Sequence, residues 1–282
     1  MESAIASSIL KEKQAGRISL IPFLTSGYPT IQISEEIISG LISENLVSAI
    51  EVGIPFSDPI AEGKTIQKSS SISLRNGVDI DSTLKMIEKI NSYKQNKTPI
   101  ITMGYYNPIL KIGVENYFKS AKQSGVQGLI IADIPNVELE KIQSIAKEYQ
   151  IDTIPLVPLN SSQATVKHAC NIAQGFVYCV SVLGVTGSRK NLSPQIKKKV
   201  ESVKQYTNLP VAVGFGISSP EHIKILSRFA DAAIVGSSII DIISDAKKEN
   251  AVTEVKKFIS ILKKSSNINI WIMRLENTML EE

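Results

Sequence analysis

Eight short, nearly continuous apolar runs recur along the chain, at residues 19–25, 47–52, 99–103, 128–133, 152–157, 176–181, 210–215 and 232–235. A strand with one wet face alternates apolar and polar residues, so runs without alternation read as parallel strands buried on both faces. Between them, residues 30–44, 80–93, 114–124, 137–149, 161–173, 193–206 and 219–229 carry apolar side chains at the three- and four-residue spacing of a helix with one buried side. Ser193 and Ser219 each precede a proline, the order of a helix cap and first helical position. Eight such units in 282 residues predict a closed (β/α)8 TIM barrel rather than an open doubly wound sheet. Against the latter, GFGISS at 214–219 has two glycines of the dinucleotide fingerprint without the third, and falls late in the chain.

At 43% hydrophobic residues the chain can fill one large core, so a single domain is expected over residues 1–265. An amphipathic start, residues 2–15, predicts an extra N-terminal helix over one end of the barrel. The segment 266–282 breaks the rhythm and reads as a C-terminal extension.

Chemistry in such a barrel gathers where strands run out into the following loops. Glu51 lies within the second apolar run, where an unpaired charge costs several kcal/mol and so needs a partner or a task. The run ends at Gly53, and Pro55, Ser57, Asp58, Pro59 and Gly63 form a polar loop holding a second carboxylate, Glu62. Thr25 and Gly27 follow the first strand, Tyr105 and Asn107 the third, and Asp133 the fourth. The last three strands open into glycine: Gly184 and Gly187 flanking Thr186, then Gly214 and Gly216, then Gly236 followed by Ser237 and Ser238 at a helix start. Any one of these is an ordinary turn glycine. Together they present backbone N–H groups toward one point and point to a phosphate-bearing ligand.

Several classes are excluded. The net charge of +4 is spread along the chain, and the lysine runs at 197–199 and 263–264 lack interleaved aromatics, so they read as solvated helix faces and not a nucleic-acid surface. Two histidines and two cysteines, His168, His222, Cys170 and Cys179, show no ligand spacing, so no metal site is expected. The cysteines read as small buried groups in a reducing compartment. No apolar stretch reaches the length of a membrane span, and the first residues lack a signal peptide's apolar centre. The cytoplasm is expected, or the plastid stroma if the gene is organellar, a reading that the abundance of Ile, Lys, Asn and Ser also suits.

Seven segments then carry a resemblance. IPFLTSGYP (21–29), EVGIPFSDPIAEGKTIQ (51–67), MGYYNPI (103–109), IADIP (131–135), FVYCVSVLGVTG (176–187), VAVGFGIS (211–218) and AAIVGSSII (232–240) stand in the order in which they occur in the alpha subunit of tryptophan synthase, which the chain closely resembles. The resemblance implies retro-aldol cleavage of indole-3-glycerol phosphate to indole and glyceraldehyde 3-phosphate, with no cofactor in this subunit. It also implies an α2β2 complex in which indole passes to a beta subunit carrying pyridoxal phosphate. Glu51 matches the family's general acid/base. Phe23 and Tyr178 match pocket residues, although each also reads as plain core. Thr186 matches a loop that closes on substrate and hydrogen-bonds an aspartate near Asp58 or Glu62. Gly187, Gly216, Gly236 and Ser237 match phosphate ligands, and Pro55, Asp58 and Asn107 match the surface that meets beta.

The loop after Glu51 departs from the family pattern. Where the family reads Ala-Asp-Gly-Pro, this chain has Ala61, Glu62, Gly63 and Lys64. The extra methylene of Glu62 implies a carboxylate displaced by about 1 Å, a loss of ~100-fold unless something compensates, and Lys64 is a candidate ion-pair partner for it. With Ser48 where the family often has an acid, these changes leave an alternative open: a catalytically weak or inactive barrel that acts as allosteric partner of beta.

Overall fold

The computed structural model describes residues 3–93, 97–180, 194–214 and 216–267. The strands are β1 (Ser19–Thr25), β2 (Ile50–Gly53), β3 (Ile100–Gly104), β4 (Gly128–Ile131), β5 (Asp152–Thr153), β6 (Leu156–Pro158), β7 (Val177–Val180), β8 (Val211–Gly214) and β9 (Ala232–Val235). All pair in parallel, in the order β5-β4-β3-β2-β1-β9-β8-β7-β6. The two outer members of that order are pieces of one run. Ile154 N–H donates to Leu129 O at 3.0 Å on the β4 side, and the next residue's carbonyl, Pro155 O, accepts from Tyr178 N–H at 3.2 Å on the β7 side. The run thus changes partner at a proline, which has no N–H for a ladder, and the sheet closes into a barrel as the eight apolar runs predict.

Alternation of side chains sorts each strand between two cores. Ile50 and Val52 of β2, Val177 and Cys179 of β7, and Val211 and Val213 of β8 face outward and pack under the helices. Ala49, Ile101, Ile130, Phe176, Tyr178 and Ala212 face inward. Since Ala49 points in while Ile50 and Val52 point out, Glu51 points into the barrel.

The N-terminal helix (Ala4–Gln14) plugs the end of the barrel away from the strand C-termini. Its Ile5 and Ile9 are wholly buried among the inner residues. The Ser3 hydroxyl caps it by accepting from Ala6 N–H at 3.1 Å and donates to the carboxylate of Asp152 at the start of β5. At the same end, the buried Asp231 accepts from Val211 N–H at 2.9 Å and meets Lys13 Nζ at 2.8 Å and Lys204 Nζ at 3.0 Å. One carboxylate therefore ties the N-terminal helix, the helix Pro194–Lys204 and the roots of β8 and β9 together.

Among the described residues three α-helices lie where the sequence predicts none: Lys64–Arg75, Tyr106–Ile112 and Ala251–Lys264. The first escapes notice because its buried side is made of Ser69, Ser70 and Ser73 instead of apolar residues. Ile18 N–H donates to Ser266 O at 3.1 Å, and Asn267 bridges Arg17, so the chain remains tied to the barrel through residue 267. The rest of the expected extension lies outside the described residues. Among the described residues no helix is long and apolar enough to cross a membrane.

Candidate active site

Glu51 is fully buried on the inner face of β2, in register with Phe23 on β1 and Ile101 on β3. Among the described residues neither of its carboxylate oxygens has a hydrogen-bond partner. Burial, with a lesser push from the Glu62 carboxylate, raises its pKa to about 8, so at neutral pH Glu51 holds a proton. A protonated acid inside an apolar barrel, unclaimed by any neighbour, is poised to give that proton away.

Glu62 lies eleven residues downstream at the end of the loop that leaves β2. Its carboxylate Oε2 accepts from the Tyr105 hydroxyl, which in turn accepts from Ala61 N–H at 3.0 Å. Lys64, the other candidate partner, is exposed at the start of the helix Lys64–Arg75 and makes no ion pair with Glu62. Burial raises the Glu62 pKa to about 7; the Tyr105 hydroxyl pulls it down and the Asp133 carboxylate pushes it up. The two acids therefore differ in environment: one has no partner, and the other has a donor that favours its charged form.

Tyr105 itself is 3% exposed, and burial followed by the Glu62 charge holds its phenol in the neutral form far above the usual range. Its ring stacks on Phe56 with centroids 4.9 Å apart. Phe56 is fixed by Ser70, whose hydroxyl accepts from Phe56 N–H at 2.8 Å and donates to Phe56 O at 3.1 Å. The buried serines of the helix Lys64–Arg75 thus serve the loop, and Ser69 likewise meets Thr25 at 2.7 Å. Local spacing reveals neither Tyr105 nor Ser70 as part of the site, because their partners lie 43 and 14 residues away. The signal that existed was position: Tyr105 follows a strand end.

Phe23 and Tyr178 complete the apolar walls. Phe23 fits between two glycines: a Cβ on Gly53 would lie 2.5 Å from its Cζ, and one on Gly236 would lie 3.4 Å from its Cβ. Tyr178, on the inner face of β7, covers Gly214. Its phenol is held well above the usual range by burial, then by the charges of Glu51 and Glu62.

Across the mouth, Gly216 takes a left-handed φ of +45°, and Gly236 caps the helix Ser237–Asp245. Ser238 Oγ donates to Ile217 O at 2.5 Å and ties the two strand-end loops together. This sets Gly216, Gly236 and Ser237 around one helix N-terminus, where the exposed N–H groups and the helix dipole favour an anion. Thr186 and Gly187 lie outside the described residues.

On the outer side of the same loop, Pro55 and Asn107 line an open groove of about 600 Å³ with Phe56, Leu74, Leu84 and Ile112. Asp58 is exposed nearby and accepts from Ser57 Oγ at 2.5 Å, and Ile60 is 74% exposed. Asp133, whose charge reaches Glu62, accepts from Tyr106 N–H at 2.8 Å. Among the described residues no group of His, Cys, Asp and Glu side chains is arranged to hold a metal ion.

Comparison with known proteins adds the family context. A family model described as "Tryptophan synthase alpha chain" matches residues 9–267. The tryptophan synthase alpha chain of Thermoanaerobacter pseudethanolicus is 42% identical over 252 residues, covering 89% of this chain and 95% of that one. The alpha chain of Petrotoga mobilis is 40% identical over 260 residues, with 91% and 98% covered. Among solved structures, Mycobacterium tuberculosis tryptophan synthase superimposes with a TM-score of 0.86 at 28% identity, covering 95% of this chain and 99% of that one. A chain of the Pyrococcus furiosus tryptophan synthase α2β2 complex gives 0.81 at 37% identity, with 87% and 98% covered.

Proposed function

The chain belongs to the tryptophan synthase alpha chain family, and from that premise we infer how its two buried acids divide the retro-aldol cleavage of indole-3-glycerol phosphate. Glu51 begins as the acid. It gives its proton to indole C3, which turns the ring into an indolenine whose N–H bears developing positive charge. Glu62, ionised, accepts a hydrogen bond from that N–H and stabilises the charge. The bond between indole C3 and the glycerol chain then breaks, its electron pair restoring the aromatic ring. The glycerol hydroxyl becomes an aldehyde, and its proton returns to the Glu51 carboxylate, so the acid is regenerated without net proton uptake.

In this reading Phe23 and Tyr178 hold the indole ring, and Gly216, Gly236 and Ser237 take the phosphate, with Thr186 and Gly187 assigned to the same ligand from sequence. No cofactor is needed in this chain, since every proton transfer has a side chain to make it. Pyridoxal phosphate is assigned to the beta subunit. Pro55, Asp58 and Asn107 face that subunit across the groove, and exposed Ile60 suits burial against a partner. We assign the enzyme to the cytoplasm, or to the stroma if plastid-encoded, as one barrel domain through residue 265 followed by an extension. Nothing in the site favours the catalytically silent alternative, since Glu62 keeps a buried carboxylate beside Glu51.

The observation that carries the mechanism is Glu51: wholly buried, inward-facing, and without a partner for either oxygen. Release of indole from indole-3-glycerol phosphate tests it, comparing wild type with Glu51→Gln, each with and without a cognate beta subunit. Wild type should release indole and accelerate with beta, while the variant should lose about 10²–10⁴-fold in kcat. Equal rates for the two proteins would remove Glu51 from the mechanism. Absence of co-elution or mutual rate activation with beta would remove the complex.

A further inference from the structure

We propose that Tyr105 is the positioning residue for Glu62: its hydroxyl, held by Ala61 N–H, draws in Oε2 of the longer glutamate and turns Oε1 toward the substrate. The inference rests on the reading of Glu62 as the carboxylate that meets the ring N–H.

The backbone around Glu62 is already fixed. Glu62 N–H donates to Pro59 O at 3.2 Å, Gln67 Nε2 donates to Glu62 O at 2.9 Å, and Ala61 N–H donates to the phenol at 3.0 Å. What remains free is the side chain, which has one more rotatable bond than aspartate. Among the described residues Tyr105 is the one side chain that hydrogen-bonds its carboxylate, and it does so on Oε2, which leaves Oε1 to receive a donor from the substrate. The phenol cannot drift, because its ring lies on Phe56 and Ser70 clamps the Phe56 backbone from both sides. An aspartate on this backbone would fall short of the phenol by about one carbon–carbon bond, roughly 1.5 Å. Tyr105 and Glu62 are therefore matched in length, and the misplacement implied by the extra methylene is taken up.

Among the described residues the charged and titratable groups facing Glu62 are Glu51 on β2, Asp133 after β4, Tyr178 on β7 and Tyr105 itself; Lys64 is turned to solvent. Of these only Tyr105 donates a hydrogen bond to the carboxylate, so its loss removes the larger of the two hydrogen bonds that oppose burial and the Asp133 charge, the other coming from the Glu62 backbone. Tyr105→Phe keeps the ring and its stacking on Phe56 while removing that donor.

The test is steady-state indole release by Tyr105→Phe, Glu62→Asp and the double variant across pH. Tyr105→Phe should lower kcat about 10- to 100-fold with KM within about 3-fold, and move the acidic limb of the profile upward by about half a pH unit or more. In the Glu62→Asp background the same substitution should cost about 3-fold or less, since the shorter side chain has no bond to lose. An unchanged kcat and limb in Tyr105→Phe, or an equal loss in both backgrounds, overturns the proposal while leaving Glu62 in place. Failure of wild type to release indole would instead sink the reading beneath it.

Discussion

A Cβ on Gly214 would lie 2.2 Å from the phenol oxygen of Tyr178 and 2.5 Å from its Cε2. The close fit follows from parity: Gly214 and Tyr178 lie on the inner faces of adjacent strands, in a barrel whose other inner positions are already filled. Gly214→Ala must therefore displace the ring. Overpacking of this kind costs about 1–3 kcal/mol, and the displaced ring would intrude on the pocket proposed for indole. We expect a lower Tm together with a rise in KM for indole-3-glycerol phosphate; unchanged kinetics would mean that the ring does not line the pocket.

Glu51 and Glu62 set a pH window. The mechanism needs Glu51 protonated and Glu62 ionised in the free enzyme. With pKa values near 8 and 7 respectively, kcat/KM should rise as pH climbs through about 7 and fall as it passes about 8. In Glu51→Asp the residual activity should keep the acidic limb. A flat profile from pH 6 to 9 would contradict the assignment of both acids.

The same burial makes Glu51 a liability to the fold. Its folded pKa, about 8, stands above the ordinary 4.5, so the folded state holds the proton more tightly than the unfolded chain. The stability associated with that proton is complete below about 4.5 and is lost as pH rises through 8. Glu51→Gln, which cannot ionise, should match wild type in Tm below about pH 4 and exceed it by several degrees near pH 9, at about 2–4 °C per kcal/mol recovered. A variant that melts below wild type at pH 9 would show that the carboxylate is compensated after all.

Asp231 behaves in the opposite sense. Burial pulls its pKa up, but Lys13, Val211 N–H and Lys204 together outweigh burial and hold it below the usual carboxylate range. Its contribution is therefore present above the unfolded pKa and is lost as pH falls through the lower folded one. Asp231→Ala leaves two partly exposed lysines and a buried N–H without their acceptor and should cost about 1–3 kcal/mol by urea unfolding at pH 7, with a smaller difference near pH 3. Indole release at a temperature where both proteins are folded should change little, since the residue lies at the end of the barrel away from the acids.

The barrel was legible in the sequence wherever burial is apolar on both sides of a strand, because then no alternation confuses the run. Residues 19–25 and 232–235 match β1 and β9 to the residue. The fifth run was read as one strand, 152–157, and it divides at Pro155 because neither neighbour can pair with its whole length. The helix Lys64–Arg75 was unreadable for a chemical reason: it buries hydroxyls that answer the polar backbone of a loop, and no hydrophobic period records that. Ala251–Lys264, with Ala251, Val255, Ile259 and Leu262 buried, carries a helical period that reading by barrel units passed over. Within the site, Glu51 announced itself as a charge in an apolar run. Tyr105 showed only its place at a strand end, and its bond to Glu62, 43 residues away, is set by the barrel's closure and not by spacing along the chain.

The Asp231 clamp and the Tyr105 bridge sit at opposite ends of the same strands. One end is stitched by ionic bonds, while the other holds Glu51, neither of whose oxygens has a hydrogen-bond partner among the described residues. Robustness and reactivity thus answer to different residues, and the loops at the reactive end can be lengthened, exchanged or evolved toward another substrate while the far end keeps the staves together.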